Sequence, residues 1–238
     1  MRGWYLLILW LFFIGCGRYF AGPIRPEDQQ GMSITVYDDG SVTYAHERLE
    51  ISLRPVSDKE LNRQFVAQSQ GGAESTNPYT YGDWKPMGDT WTPERFTVFL
   101  LKVKNYAYPK VSLDPENVEV VSENGRRYQP LTRKTLVEYY RALALSYSGN
   151  TYARFSEREG ILNTTLFNSS MIFSGQEQEG YVVFSRLHDD VKQFSVHLRK
   201  IALRFDYRNV PKEAIDLTFR FHRDISRGYH PPKLVGEK

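Results

Sequence analysis

Apolar and polar residues alternate along most of the chain after residue 31, a pattern typical of β-strands that bury one face. The alternation runs through residues 32–36, 42–53, 118–122, 181–184, 194–207 and 215–221. Residues 96–103 are apolar on both faces, which predicts a central strand covered on two sides. Because each sheet must bury an apolar face, the pattern predicts an antiparallel β-sandwich over residues 32–227.

Interruptions of the alternation indicate turns and irregularities. The segments Asp38-Asp39-Gly40-Ser41 and Glu123-Asn124-Gly125-Arg126 are typical of hairpin turns. The parity of the apolar positions changes between Tyr44 and Leu49, which predicts a bulge or a bend. It changes again at Arg199-Lys200, which predicts a bulge or a tight connection.

Helical spacing occurs in two segments. Residues 57–66 predict one short helix. Residues 132–168 predict a helical insertion in the sandwich, because Thr135 and Glu138 have capping-box spacing and apolar residues follow at helical intervals. A second helix is expected over residues 156–167 of this insertion.

The first residues have the composition of an export signal, with Arg2 before an apolar run over residues 4–14. As a helix this run would reach about 16 Å, whereas the hydrocarbon core of a bilayer is about 30 Å thick. We therefore expect residues 1–15 to be a signal peptide. Residues 16–31 lack periodicity and predict a flexible tether, and residues 228–238 predict a loose tail.

The end of this apolar run, Phe13-Ile14-Gly15-Cys16, resembles the lipobox of bacterial lipoproteins. The resemblance implies that the Cys16 thiol is alkylated with diacylglycerol and that cleavage makes Cys16 the new N-terminus, with further acylation, for instance by palmitate. Attachment to a membrane needs more than one acyl chain, which this pathway supplies. The alternatives are an uncleaved hydrophobic anchor and a simple signal peptide cut elsewhere, and inner and outer membrane both stay open.

Several segments of the sandwich resemble an Ig-like extracytoplasmic domain of unknown function that is common in bacterial lipoproteins. The motifs that carry it are residues 99–105, 111–115 and 118–128, and the turn and strand over residues 173–184, and the resemblance covers roughly residues 96–128 and 171–207. It implies a mainly β, Ig-like antiparallel β-sandwich in the cell envelope, with no known catalysis. The helical insertion and a long loop over residues 67–93 depart from this family.

Composition narrows the functional classes. The net charge is +3, from 31 basic and 28 acidic residues, which gives no concentrated basic surface for nucleic acid. The single Cys excludes an internal disulfide and a Cys-rich zinc site. No phosphate loop, dinucleotide fingerprint or nucleophile elbow occurs in the sequence, so no cofactor is predicted.

The aromatic loop, residues 67–93, carries the main candidates for ligand or partner contact: Tyr79, Tyr81, Trp84 and Trp91. Such rings stack on sugars and concentrate at protein-binding sites. The alternative is that the rings fold back and cover the sandwich, since burying large aromatic side chains stabilises a long loop.

Other polar clusters are weaker candidates. His188 and Asp189, with His222, are the residues that a hydrolytic or metal site would use, although their spacing matches no known ligand set. His197 lies between apolar strand residues. Several basic residues predict either contact with anionic headgroups or a solvated face: Lys102, Lys104, Lys110, Arg126, Arg127, Arg133 and Lys134.

Together these patterns predict a lipid-anchored lipoprotein of the bacterial cell envelope that acts as a non-catalytic binding or assembly module, with a protein partner in the envelope. One alternative is a carbohydrate-binding module that uses the aromatic loop. A further alternative is an envelope hydrolase or metal-dependent enzyme.

Overall fold

The structure is a computed structural model that describes residues 18–46, 48–146 and 151–231. The predicted signal peptide, Cys16 and residues 232–238 of the predicted tail lie outside the described residues.

Antiparallel strands dominate the described part of the chain. In chain order they are β1 (Arg18–Ala21), β2 (Arg25–Pro26), β3 (Ile34–Val36), β4 (Val42–His46), β5 (Leu49–Val56), β6 (Phe96–Asn105), β7 (Lys110–Ser112), β8 (Val118–Ser122), β9 (Arg127–Tyr128), β10 (Met171–Phe173), β11 (Glu177–Ser185), β12 (Gln193–Phe205), β13 (Pro211–His222) and β14 (Ile225–Gly228). One sheet has the order β11-β6-β5-β4-β3. The other has the order β10-β7-β12-β13-β2, with β8 and β9 attached to β12, and β1 pairs only with β14.

The two large sheets pack face to face around one apolar core. Phe99 of β6 lies 5.3 Å from Phe221 of β13 and 6.4 Å from Phe194 of β12, measured between ring centroids. All three rings are buried, as are most inward-facing aliphatic side chains of both sheets. The predicted fold class, a mainly β antiparallel sandwich with a helical insertion, is confirmed, and β6 is the central strand expected over residues 96–103.

Most of the predicted irregularities are present. Gly40 and Gly125 have φ angles of 78° and 81° in the two hairpin turns, a conformation that favours glycine. The change of parity at Arg199-Lys200 is a bulge, because the pairing of β12 with β13 slips between Leu198 and Ile201. The change before Leu49 falls where β4 ends and β5 begins, and these strands pair with His46 opposite Leu49.

Three helices are described: α1 (Asp58–Gln64), α2 (Arg133–Ser146) and α3 (Thr151–Thr165). The side chain of Thr132 caps α2 by accepting a hydrogen bond of 3.2 Å from the Thr135 amide, so the capping position lies three residues before the predicted one. None of the helices in the described part is long and apolar enough to cross a membrane.

The helical insertion has a core of its own on the outer face of the β11-β6-β5 side. Leu136 and Tyr140 of α2 are buried there with Leu162 of α3. Val98 of β6 and Val183 of β11 complete this second core from the sheet. The insertion is therefore packed on the sandwich through an apolar face, as its helical spacing predicts.

The expectation of a flexible tether over residues 16–31 is wrong for its described part. Strand β1 pairs with β14 in register from Arg18 opposite Gly228 to Ala21 opposite Ile225. Strand β2 pairs with the end of β13, and the Gln30 side chain donates a hydrogen bond of 2.8 Å to the Arg220 carbonyl. Backbone pairing with strands near the other end of the described chain holds this segment in place. Such short strands show no alternation of apolar and polar residues, so the sequence carries no sign of them.

Candidate binding pocket

The aromatic loop does not present its four candidate rings as one surface. Tyr79 is fully buried, with its ring 5.1 Å from that of Tyr181 and 6.0 Å from that of Phe65. Its hydroxyl lies 2.5 Å from the Thr165 hydroxyl, and burial raises its pKa. Tyr79 thus cannot contact a ligand, because it forms part of the second core between the loop and the helical insertion.

Trp91 lies at a different place from the other candidates. Its ring packs edge-on against Phe20 of β1, with 5.5 Å between centroids. Trp91 is half-buried there and helps to hold β1 on the sandwich. The two candidates that share a site are Tyr81 and Trp84, whose rings are 5.4 Å apart.

Tyr81 and Trp84 line a cavity of about 260 Å³ between the aromatic loop and α2. The other side chains that define it are Arg95, Tyr139, Leu143 and Arg158, and we call this cavity the arginine pocket. Ligand sites for drug-sized molecules have volumes of about 300–1,000 Å³, so this one suits a single small ring.

Arg95 is held between aromatic rings at the mouth of the arginine pocket. Its guanidinium carbon lies 4.7 Å from the Tyr81 ring centroid, 4.9 Å from that of Tyr140 and 5.4 Å from that of Tyr139. Two long hydrogen bonds of 3.3 Å go to the Thr80 carbonyl and the Tyr139 hydroxyl. Its Nε is buried with no hydrogen-bond partner in the described part of the chain. Cation–π contact fixes the position of Arg95 but does not neutralise its charge.

Arg158 of α3 is more deeply buried, with only 6 % of its surface exposed. It donates a hydrogen bond of 2.6 Å to the Ser75 carbonyl, and its guanidinium carbon lies 5.1 Å from the Tyr140 ring centroid. Its Nε is also buried without a partner among the described residues. Burial lowers the pKa of Arg158, and the nearby charge of Arg95 lowers it further.

The carboxylates near this pocket are engaged elsewhere. Glu74 pairs with Arg154 at 2.8 Å, and Asp83 accepts a hydrogen bond of 2.6 Å from the Gly72 amide. Within the described ranges, neither Arg95 nor Arg158 forms an ion pair. A buried charge in a protein is normally paired, so the unpaired Arg158 beside a second unpaired arginine is unusual.

A larger cavity of about 610 Å³ lies beside β1 and includes Trp91, Asp58 and Glu94. Its charges are partly matched, since Arg54 and Glu60 on its wall form an ion pair of 2.7 Å. It also borders both ends of the described chain, at Ala21 and Pro231. The smaller arginine pocket is the better candidate, because its charge is not matched by the residues around it.

The structure does not gather the residues named for a hydrolytic or metal site. Asp189 pairs with Arg186, and the His188 ring lies 6.3 Å from that of Tyr128. His197 Nδ1 is 2.9 Å from the Thr218 hydroxyl across the sheet, and burial lowers its pKa. His222 is half-buried on β13. In residues 18–46, 48–146 and 151–231, no group of three His, Cys, Asp or Glu side chains is placed to hold a metal ion.

The basic residues of the sandwich are largely paired. Ion pairs join Lys102 to Glu177 and Glu179, Lys104 to Glu50, Arg126 to Asp190, Arg127 to Glu119, and Arg133 to Glu159. Lys110 donates to the Asn209 side chain. These contacts favour a solvated, locally balanced face over a patch for anionic headgroups.

Sequence reasoning missed both arginines of the pocket. Arg158 carries a detectable signal, because Phe155, Arg158 and Leu162 are spaced by three and four residues, which puts the arginine on the buried face of α3. Arg95 carries none, because it stands at the end of a loop and its environment comes from Tyr139 and Tyr140 of α2.

No protein-family model and no curated protein matches the sequence. The crystal structure of the yjhA protein from Bacillus subtilis is 8 % identical, covers 74 % of this chain and 93 % of its own, and has a TM-score of 0.36. The X-ray structure of a structural-genomics target designated SoR45 is 8 % identical over 80 % of this chain and 91 % of its own, with a TM-score of 0.26. Likenesses this low bear on neither ligand nor activity.

Proposed function

We propose that this protein is a lipid-anchored lipoprotein of the bacterial cell envelope whose β-sandwich serves as a non-catalytic binding module. The lipobox-like segment ending at Cys16 supports the anchor. The arginine pocket supports the binding role and is the observation that carries it. A preformed cavity with aromatic walls and two unpaired cations suits recognition of a ligand.

Carbohydrate binding by the aromatic loop is one form of this proposal. It depends on Tyr81 and Trp84, because Tyr79 is buried and Trp91 packs on β1. Tyr and Trp rings present flat apolar faces together with a polar group, which suits a sugar ring. A protein partner in the envelope would instead place one of its side chains in the same pocket.

The binding role is tested with the protein extracted from native membranes in detergent, on an array of envelope glycans and small metabolites. Binding of at least one class is expected to be lost in Trp84→Ala and kept in Trp91→Ala, since only Trp84 lines the arginine pocket. Binding that both variants retain, or the absence of any bound class, would contradict the proposal.

The anchor is tested separately by replacing Cys16 with Ala and fractionating cells. We expect the variant to leave the membrane fraction, because it has no thiol to receive diacylglycerol. Equal membrane content of the two proteins would show that attachment does not depend on this thiol.

A further inference from the structure

The arginine pocket has an unbalanced positive charge that the described protein does not satisfy. Arg95 and Arg158 both line the cavity, and neither forms an ion pair there. The acidic side chains of this region are engaged elsewhere: Glu74 pairs with Arg154, and Asp83 accepts from the Gly72 amide. Glu157, whose charge acts on Arg158 from outside the cavity lining, accepts a hydrogen bond of 3.0 Å from the Gln68 side chain. The missing partner is an anion, and a ligand can supply it.

The lack of an anionic partner is significant because Arg158 is deeply buried. Only 6 % of the Arg158 surface is exposed, and its Nε has no hydrogen-bond partner in the part of the chain that the structure describes. Each guanidinium carries five N–H donors, of which Arg95 directs two and Arg158 one at assigned acceptors. Donors therefore remain for an incoming group.

The walls indicate what the anion is attached to. Tyr81 and Trp84 form one side with an angle of 49° between their ring planes, and Leu143 adds an apolar contact. Aromatic walls stabilise a flat ring by burial of its faces. The volume of about 260 Å³ leaves room for one such ring.

The backbone around the pocket favours a carboxylate over a phosphate. Phosphate sites usually present several free backbone N–H groups from a helix N-terminus or a glycine-rich turn. Here the amide of Gly72 donates to Asp83, and the amide of Ser75 donates to the Gly72 carbonyl at 3.0 Å. Guanidinium groups pair with either anion, so the engagement of these amides is what favours the carboxylate.

We propose that the arginine pocket binds a carboxylate attached to a small ring, with the carboxylate on Arg95 and Arg158 and the ring against Tyr81 and Trp84. The ring has two sources, an acidic sugar of an envelope glycan or an aromatic acid. This inference rests on the proposed binding function and gives it a ligand class.

The test measures binding of four probes to the detergent-extracted protein by calorimetry: glucuronate, glucose, benzoate and inorganic phosphate. We expect one of the two carboxylates to bind roughly 10- to 100-fold more tightly than glucose and phosphate, the range typical of a charge-assisted hydrogen bond. Glucuronate as the stronger probe would identify the sugar source, and benzoate the aromatic source.

Variants connect the binding to the pocket. Arg95→Gln and Arg158→Gln are each expected to weaken the carboxylate probe by at least about tenfold while leaving glucose unchanged. Arg208→Gln is the matched control, because Arg208 also stacks on a tyrosine, 5.1 Å from the Tyr207 ring centroid, but at an exposed site. Arg95 is only half-buried, so its variant keeps the test valid if Arg158→Gln fails to fold.

Two results would overturn the inference. If glucose or phosphate binds as tightly as either carboxylate, the pocket does not select for a carboxylate. This conclusion would hold even if the array finds a ligand whose binding needs Trp84. Carboxylate binding that survives both Arg95→Gln and Arg158→Gln would place the anion outside the pocket. Failure of the array itself would contradict the broader binding role instead.

Discussion

Arg223 shows how one charged side chain organises a loop of the sandwich. It follows β13 and is only 1 % exposed. Its Nε donates a hydrogen bond of 2.8 Å to the Val191 carbonyl, and its Nη2 donates to the carbonyls of Leu187 and His188. These hydrogen bonds satisfy buried backbone carbonyls in the turn between β11 and β12. Burial also lowers the pKa of Arg223.

Replacing Arg223 with Met should destabilise the protein by about 2–4 kcal/mol, because several buried carbonyls lose their donor. Urea denaturation monitored by tryptophan fluorescence measures the change. Arg220→Met is the control, since Arg220 lies on β13 three residues earlier with an exposed side chain and should change stability by less than about 0.5 kcal/mol. Equal effects of the two substitutions would contradict this role.

Asp58 predicts a pH dependence of stability. Its pKa is raised from 3.8 to about 8, mainly by burial and then by the negative charge of Glu94, while the positive charge of Arg186 acts in the opposite direction. The folded state thus keeps a proton that the unfolded state releases, so the free energy of unfolding falls as pH rises from about 4 to about 8. Asp58→Asn should flatten this fall and stabilise the protein more at pH 8 than at pH 4. A parallel pH profile of the two proteins in chemical denaturation would refute the assignment.

At the scale of elements, one glycine lets the helical insertion approach the sheet. A Cβ at Gly180 of β11 would lie 2.5 Å from the Phe167 nitrogen and 2.8 Å from the Leu166 carbonyl carbon. The Phe167 amide donates to the Tyr181 carbonyl at 3.0 Å, so the chain after α3 crosses directly over β11. The approach also positions α3, which carries Arg158.

Gly180→Ala should therefore cost about 1–3 kcal/mol, the range for overpacking against a backbone that cannot move freely. Gly160→Ala provides a matched control on α3, because no atom lies within 4 Å of a Cβ there. That change should stabilise the protein by about 0.5–1 kcal/mol, as expected for alanine in place of glycine in a helix. Thermal denaturation distinguishes the two, and a stabilised Gly180→Ala protein would contradict the close approach.

The sequence predicts well those elements that bury one face on a neighbouring layer, because burial of one face produces a regular spacing of apolar residues along the chain. Alternation located β12 and β13, apolar residues on both faces located β6, and the slip of parity located the bulge at Lys200. Strand β1 has no such period, because Arg18 pairs with Gly228 at the far end of the described chain. The arginine pocket was only half predicted for the same reason: Tyr81 and Trp84 are a visible aromatic cluster, whereas Arg95 acquires its neighbours from α2.

At the scale of the whole molecule, the position of β1 restricts how an anchored domain would sit. Only Gly17 separates Cys16 from β1 in the sequence, so lipidated Cys16 would hold Arg18 within about 7 Å along the chain. Arg18, Tyr19, Arg227 and Tyr229 are exposed at this end, and the Arg227 guanidinium carbon lies 5.8 Å from the Tyr19 ring centroid. Arginine and tyrosine are suited to the headgroup region of a membrane.

Thiol labelling in native membranes tests this orientation. A membrane-impermeant maleimide should label Arg227→Cys several-fold more slowly in membranes than in detergent. Arg208→Cys should label equally in both, because Arg208 lies at the opposite end of the β12–β13 hairpin, about 40 Å away along strands of 13 and 12 residues. Labelling of Arg227→Cys that detergent does not change would contradict a membrane-facing β1.

The intact mass of the protein extracted from native membranes tests the central claim most directly. We predict a chain that begins at Cys16 and carries the added mass of a diacylglyceryl group and a further acyl chain. A full-length chain with its leader, or a chain with a free thiol at Cys16, would contradict it, and the proposed compartment and membrane orientation would fall with the anchor.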